Sequence, residues 1–274
     1  MIKRTLSCLA LATLVVCMAP SVQAKELKFS DPAGDDFGPG SYTYPTHADY
    51  KRGSFDLRAV SIKTKGSKVE FKVTFSAPVA DPWDSRSWGG HGFSLQMVQI
   101  YLDTDNKAGS GFKEALPGIN ASFAEADAWD RVVMVSPQPN QRIGQEVSAK
   151  ASKMKSAVVL PTKVSVRGKS ITVVVKKSAL GGAPKASWGV QALVQSNEGY
   201  PDRRDLLSRK VNELPGQHRF GGGNDWECDP HVLDILAGTA KGDNSEVDAQ
   251  KKALAYTCGP DGQKVSEATL PMVR

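Results

Sequence analysis

The sequence has little histidine and little cysteine, with four of each among 274 residues. The histidines, at positions 47, 91, 218 and 231, show no metal-ligand spacing, which argues against a zinc site. The sequence also lacks a nucleophile elbow, a metalloprotease helix, a phosphate loop and a Cys/His dyad. These absences exclude the commonest hydrolytic and nucleotide chemistries, and we expect no enzyme.

Long apolar runs are also missing, apart from one at the start of the chain. Lys3 and Arg4 precede an apolar run from Leu6 to Ala19, and small residues lead to Ala24. This run is too short for a membrane span of about 20 residues and is typical of a secretory signal peptide. We predict cleavage after Ala24, a mature domain over residues 25–274, and a secreted or periplasmic location without a membrane span.

Export would leave two cysteines, Cys228 and Cys258, in an oxidising compartment. An even pair there predicts one disulfide, and two separate buried thiols are the alternative. The net charge of +6 falls by two when Lys3 and Arg4 are removed, and lysines alternate with acids along the chain. This pattern indicates a solvated surface and no nucleic-acid partner.

Alternation of apolar and polar residues with a period of two dominates the middle of the chain. In "VEFKVTF", Val69, Phe71, Val73 and Phe75 alternate with polar residues, and "VSVRGKSITVVV" predicts a hairpin. Three more apolar runs are expected to be central strands: Phe93 to Leu102, Arg131 to Ser136, and Trp188 to Gln195. Seven or more strands predict an all-β fold, an antiparallel jelly-roll-like β-sandwich. Ser245, as an N-cap, and the following "EVDAQKKALAY" predict a short helix in a C-terminal appendage.

Acidic loops are the most distinctive local feature. The opening loop "DPAGDDFGPGSYTYP" holds Asp31, Asp35 and Asp36, and "YLDTDNKAGSG" holds Asp103 and Asp105 directly after a predicted strand. The second loop is not an EF-hand, because a lysine and an alanine stand where an oxygen ligand and glycine belong. Each loop alone fits an Asx turn whose carboxylates accept backbone N–H groups.

A third acidic stretch, "GGGNDWECDPHVLD", adds Asp225, Asp229 and Asp234. Three such stretches favour at least one site for a hard cation, and we expect structural Ca²⁺. Its predicted ligands are Asp31, Asp35 and Asp36, with Asp103 and Asp105 either joining them or forming another site.

Several motifs together resemble one family. "DPAGDDFGPGSYTYP", "GSFDLRAVSI", "GFSLQMVQIYLDTDNKAGSG", "LPGINASF" and "DPHVLDIL" look like the surface-layer-homology-like C-terminal module of glucodextranases, which is similar to family-9 carbohydrate-binding modules. The resemblance implies a calcium-containing β-sandwich that binds glycans or the cell surface and performs no chemistry. The departures from the family pattern are "DPW" at residues 81–83 and the pair Cys228 and Cys258.

A glycan-binding site without catalysis needs flat aromatic faces and a polar rim. Trp83 and Trp88, which flank "DSRS", are the main candidates, with Tyr42 and Tyr44 as further ligand-binding residues. The expected partner is a glycan or a cell-envelope polysaccharide, with a glycoside hydrolase as a second partner. An accessory protein of a glycoside hydrolase, without glycan binding of its own, is one alternative.

A periplasmic haem-binding sandwich is the other alternative. Its axial ligands would come from Met97, Met134 and His91.

Overall fold

The computed structural model describes residues 26–226 and 228–274. The predicted signal peptide therefore lies outside the described residues. No helix in the described part of the chain is long and apolar enough to cross a membrane.

The first sheet has five strands that pair antiparallel throughout. In the order of pairing they are β1 (Leu27–Ser30), β2 (Leu57–Lys65), β3 (Lys68–Phe75), β9 (Ser170–Lys176) and β8 (Lys163–Arg167). In β3 the apolar residues from Val69 to Phe75 are buried and the alternating lysines are exposed, as the period of two predicts. The predicted hairpin joins β8 to β9, and Gly168 at its turn has a φ of 58°.

The second sheet also has five strands. In the order of pairing they are β11 (Asp234–Ile235), β10 (Gly189–Ser196), β4 (Gln96–Asp103), β6 (Arg131–Val135) and β7 (Val158–Val159). All pairs are antiparallel except β6 with β7. Every residue of β4 and β10 is buried, because both faces of this sheet are covered. The all-β sandwich prediction is confirmed.

Residues 26–226 and 228–274 contain two α-helices. α1 (Asn140–Lys150), which the sequence pattern does not predict, packs Ile143 and Val147 on the outer face of the second sheet. α2 (Ser245–Ala253) confirms the predicted C-terminal helix, although Ser245 is its first residue rather than its cap. In α2 the Gln250 side-chain amide donates to the carbonyl of Asp35, which docks the helix on the opening loop.

The remaining short strands lie near the C-terminus and in one central loop. β5 (Ala121–Phe123) pairs in parallel with β14 (Ala268–Leu270), and β12 (Thr257–Cys258) forms a hairpin with β13 (Lys264–Ser266). Cys228 and Cys258 form a disulfide with a Cα–Cα distance of 5.7 Å, which confirms that prediction. The disulfide joins the loop before β11 to this hairpin.

Candidate functional site

Five buried aspartates meet where the edges of the two sheets come together. We call them the acid cluster: Asp31, Asp35, Asp36, Asp56 and Asp234. Asp31 follows β1, Asp35 and Asp36 belong to the opening loop, Asp56 precedes β2, and Asp234 opens β11 of the other sheet. Asp31, Asp35 and Asp234 each offer an oxygen, and these oxygens lie within 4.8 Å of one another. The fold therefore brings two predicted ligands together with one from a distant part of the chain.

Several oxygens of the acid cluster have no hydrogen-bond donor among the described residues. They are both carboxylate oxygens of Asp31 and the Oδ1 atoms of Asp35, Asp56 and Asp234. The Oδ2 atom of Asp234 accepts from the Leu57 backbone at 2.7 Å, and that of Asp56 accepts from Gly34 at 2.7 Å. A buried polar atom without a partner is costly, so these oxygens call for a group that supplies positive charge.

Burial and mutual repulsion act strongly on these carboxyl groups. Burial, followed by the charge of Asp35, raises the pKa of Asp31 to about 9. Burial and Asp56 raise the pKa of Asp35 to about 7, and burial also raises that of Asp234 well above its ordinary value. Arg58 opposes this trend at Asp31, Asp35 and Asp56, but it forms no ion pair with them in the described chain. Within the described residues, no cationic side chain forms an ion pair with the acid cluster.

The third predicted loop ligand, Asp36, faces a different partner. Its Oδ2 atom accepts a hydrogen bond from the Tyr44 hydroxyl, and burial raises its pKa to about 6. Asp36 thus lies outside the group of three oxygens described above. Its hydrogen bond with Tyr44 joins two parts of the opening loop.

The two predicted ligand-binding tyrosines are buried, and this expectation is corrected. Tyr42 is 2% exposed and donates to the carbonyl of Pro230 at 2.6 Å. Tyr44 is packed between aromatic rings, with Phe220 at a centroid distance of 4.8 Å. Neither ring has a free face for a sugar, because a position inside a loop does not fix whether a side chain points outward.

The second acidic loop forms a separate group in which Asp103, Asp105 and Asp130 offer oxygens within 4.8 Å. Each of the three carboxylates already accepts hydrogen bonds. Asp103 accepts from the Asn106 backbone at 2.7 Å and from Arg274 at 2.7 Å, and Asp105 accepts from the Ser110 hydroxyl. Thr104 satisfies Asp130 in the same way. This pattern agrees with the Asx-turn alternative.

Of the third acidic stretch, only Asp234 joins the acid cluster. Asp225 accepts from the Glu213 backbone at 2.9 Å. Asp229 lies beside the Tyr42 hydroxyl, and burial raises its pKa to about 7.

The two predicted tryptophans line a cavity of about 450 Å³, which we call the Trp cleft. Its walls come from the 3-10 helix Ser85–Trp88, the start of α1, and the loop over residues 197–210. Trp83 is half-buried, while Trp88 is 37% exposed and donates its indole N–H to the Trp83 carbonyl at 3.3 Å. Tyr200, which is 90% exposed, stands at the rim.

The polar groups of the Trp cleft are mostly matched. Arg209 lies 5.3 Å from the centre of the Trp83 ring and forms an ion pair with Glu198 at 3.1 Å. Burial, together with the positive charge of Arg209, lowers the pKa of His218 and so favours its neutral imidazole. Arg142 donates to the carbonyl of Gly199 and has no carboxylate partner in the described part of the chain. An apolar aromatic floor with a few polar groups suits a sugar ring.

A continuous set of aromatic rings connects the acid cluster to the Trp cleft. Tyr44 contacts Phe220, Phe220 contacts Tyr50 at 6.4 Å between centroids, and Tyr50 contacts Trp83 at 6.3 Å. Tyr50 also accepts a hydrogen bond from Arg209 at 2.9 Å. The same packed core therefore supports both candidate sites.

The methionines considered as haem ligands are core residues. Met97 in β4 and Met134 in β6 are fully buried in the cluster that also contains Ile143 of α1. His91 bonds through Nδ1 to the carbonyl of Ser136 at 2.8 Å. These contacts give the two methionines a packing role, which is usual for methionine in strands.

The comparison with curated proteins found no match. The family described as the C-terminal, SLH-like binding module of glucodextranase matches residues 27–272, nearly the whole chain. The match spans both sheets, the acid cluster and the Trp cleft, and it agrees with the motifs quoted from the sequence. The chain therefore belongs to the family of SLH-like C-terminal binding modules of glucodextranase.

Proposed function

We propose that this protein is a secreted, non-catalytic module that binds glycans in the Trp cleft and is stabilised by calcium at the acid cluster. The observation that carries glycan binding is the cavity lined by Trp83, Trp88 and Tyr200, with Arg142 and the nearly buried Glu198–Arg209 pair among its polar groups. Aromatic faces contact the C–H surface of sugars, and rim groups fix the orientation of the hydroxyls. Family membership agrees with a binding role on carbohydrate or on a cell surface.

Calcium is supported by the chemistry of the acid cluster. Ca²⁺ takes six to eight oxygen ligands, and carboxylates from separate loops supply them readily. Asp31, Asp35 and Asp234 would hold the ion, with Asp56 next to them. The ion would give the unpartnered oxygens of these residues a positive neighbour and tie the edges of the two sheets together.

A binding role without catalysis agrees with the carboxylates of the Trp cleft. A glycosidase places two carboxyl groups on either side of the bond that it cleaves. Among residues 26–226 and 228–274, Glu198 is the one carboxylate that lines this cleft, and Arg209 pairs with it. Secretion rests on the predicted signal peptide and agrees with the disulfide. A glycoside hydrolase that acts on the bound glycan is the expected protein partner.

Affinity electrophoresis tests glycan binding directly. Native gels with 1 mM CaCl₂ contain dextran, pullulan, xylan or polygalacturonate, and dextran is included because the family is named after glucodextranase. We expect at least one polysaccharide to retard the wild-type protein and Trp88→Ala to abolish most of this retardation. Leu214→Ala, which removes an exposed apolar side chain outside the Trp cleft, is the matched control and should migrate as the wild type does. If none of the four polysaccharides retards the wild type, the accessory role without glycan binding replaces the proposal.

A further inference from the structure

A second exposed tryptophan lies on the surface outside the Trp cleft. Trp226 is 71% exposed, and the disulfide begins two residues later at Cys228. Gly262 of the β12–β13 hairpin lies directly against it, since a Cβ at Gly262 would be 2.2 Å from the Cβ of Trp226. The Trp226 backbone N–H also donates to the Asn224 side chain at 2.8 Å. The Trp226 backbone thus packs against the β12–β13 hairpin while most of the ring faces solvent.

Trp226 stands in a cavity of about 730 Å³, which we call the Trp226 cleft. Its lining is polar around the ring. Asn120 and Gln263 supply amides, Arg203, Arg204 and Lys264 supply cations, and Asp202, Asp205 and Asp225 supply carboxylates. Neither arginine has a carboxylate partner within the described residues, so their guanidinium groups can donate to a ligand. This lining is more polar than that of the Trp cleft, but it combines an exposed aromatic face with groups that can donate to and accept from sugar hydroxyls.

One loop connects the two clefts. Residues 197–200 line the Trp cleft and residues 202–205 line the Trp226 cleft. This loop runs alongside α1 and is attached at both ends of the helix. Near the start of α1, Arg142 donates to the carbonyl of Gly199, and near its end Lys150 donates to the carbonyl of Asp205 at 2.7 Å. Eight residues of helix separate these anchors, which corresponds to about 12 Å. Tyr200 lies exposed between them.

We propose that the Trp226 cleft is a second glycan-binding subsite, and that both clefts together bind a long polysaccharide chain more tightly than a short oligosaccharide. This inference rests on the proposed glycan binding in the Trp cleft. A chain held in one cleft presents its next units to the other at a high effective concentration, so the two contacts reinforce each other. The disulfide links Cys228, two residues after Trp226 in the sequence, to the β12–β13 hairpin that contacts this ring.

The test compares the affinity for a polymer with the affinity for a short fragment of it. The polymer is the polysaccharide that retards the wild type most among the four named above, and the fragment is its trisaccharide, which is titrated by calorimetry. We expect Trp226→Ala to weaken polymer binding at least tenfold while trisaccharide binding in the Trp cleft persists. Val265→Ala removes an exposed apolar side chain from the same hairpin and should leave both affinities unchanged.

A second variant tests the subsite without altering the disulfide loop. The double substitution Arg203→Ala and Arg204→Ala removes rim groups of the Trp226 cleft and should weaken polymer binding severalfold. Wild-type polymer affinity in both Trp226→Ala and this double variant would overturn the second subsite and leave the Trp cleft as the glycan site. If no polysaccharide retards the wild type at all, the proposed function itself fails.

Discussion

Removal of calcium should make the stability of this protein fall as the pH rises. The acid cluster is the reason, because Asp31 and Asp35 have pKa values of about 9 and 7 in the folded chain and near 3.8 when unfolded. A carboxyl group with a raised pKa binds more protons in the folded state between these values. Its contribution to stability is therefore complete below about pH 4 and is lost as the pH rises through 7 and 9. Bound calcium should reverse this trend, since the ion favours the ionised carboxylates.

The distances in the acid cluster give the size of the effect. Two carboxylate charges no more than 4.8 Å apart repel by at least about 3.5 kcal/mol at an effective dielectric constant of about 20. Calcium at about 1 mM, bound to a site with a Kd of about 1 µM, adds about 4 kcal/mol to the free energy of unfolding. In a chain of this size, each kcal/mol corresponds to about 2–4 °C in Tm, so we expect an increase of about 8–16 °C.

Thermal unfolding at pH 5 and pH 8 provides the assay. Protein stripped on a chelating resin is compared with the same protein in 1 mM CaCl₂, and the increase in Tm should be larger at pH 8. Asp31→Asn should raise the Tm of the stripped protein at pH 8 and remove most of the calcium effect. Asp105→Asn, in the loop whose oxygens already have donors, is the control and should retain the calcium effect.

The reasoning is refuted if stripped and calcium-loaded protein have the same Tm at pH 8, and elemental analysis finds no calcium. The predicted pH dependence is also contradicted if the Tm of stripped protein rises between pH 5 and pH 8 and Asp31→Asn shows the same rise. The aspartates of the opening loop would then act as turn caps.

Three further predictions concern the Trp cleft, the disulfide and the N-terminus. Trp88→Ala should weaken glycan binding by a few kcal/mol and leave the fold intact, whereas Trp83→Ala should also lower the Tm because Trp83 packs against the core; unchanged affinity in both variants would exclude this cleft. The Cys228–Cys258 disulfide closes a loop of 30 residues, so its reduction should lower the free energy of unfolding, measured in urea, by about 3–4 kcal/mol. Free thiols in the native protein would refute the bond. The intact mass of the exported protein should equal that of a chain that begins at Lys25, and it should be lower by two hydrogens than the mass of the reduced chain.

The strands could be predicted because their pattern is local. The alternation in β3 and the turn at Gly168 reflect which residues face the core, and short stretches contain this information. The helix α1 could not be predicted in the same way. It buries only Ile143 and Val147 and contains Gly144, so its sequence shows little apolar periodicity. Most of its stability comes from packing on the second sheet, which the local sequence does not reveal.

The acid cluster was only partly predictable for a related reason. Asp31 and Asp35 are neighbours in the opening loop, so their charge density is visible in the sequence. Asp234 joins them through the pairing of β11 at the edge of the other sheet, and Asp56 is a single acid at the start of a strand. The direction of a loop side chain, which decides whether Tyr44 is buried, depends on packing that only the fold reveals.

A glycan array probed with calcium-loaded protein tests the central claim, glycan binding in the Trp cleft, most directly. Wild-type protein and Trp88→Ala are applied side by side in 1 mM CaCl₂, with Leu214→Ala as the control for loss of exposed apolar surface. The account predicts that wild type and Leu214→Ala bind a common set of glycans and that Trp88→Ala loses this set. Equal binding by Trp88→Ala, or no bound glycan for folded wild-type protein, would contradict it.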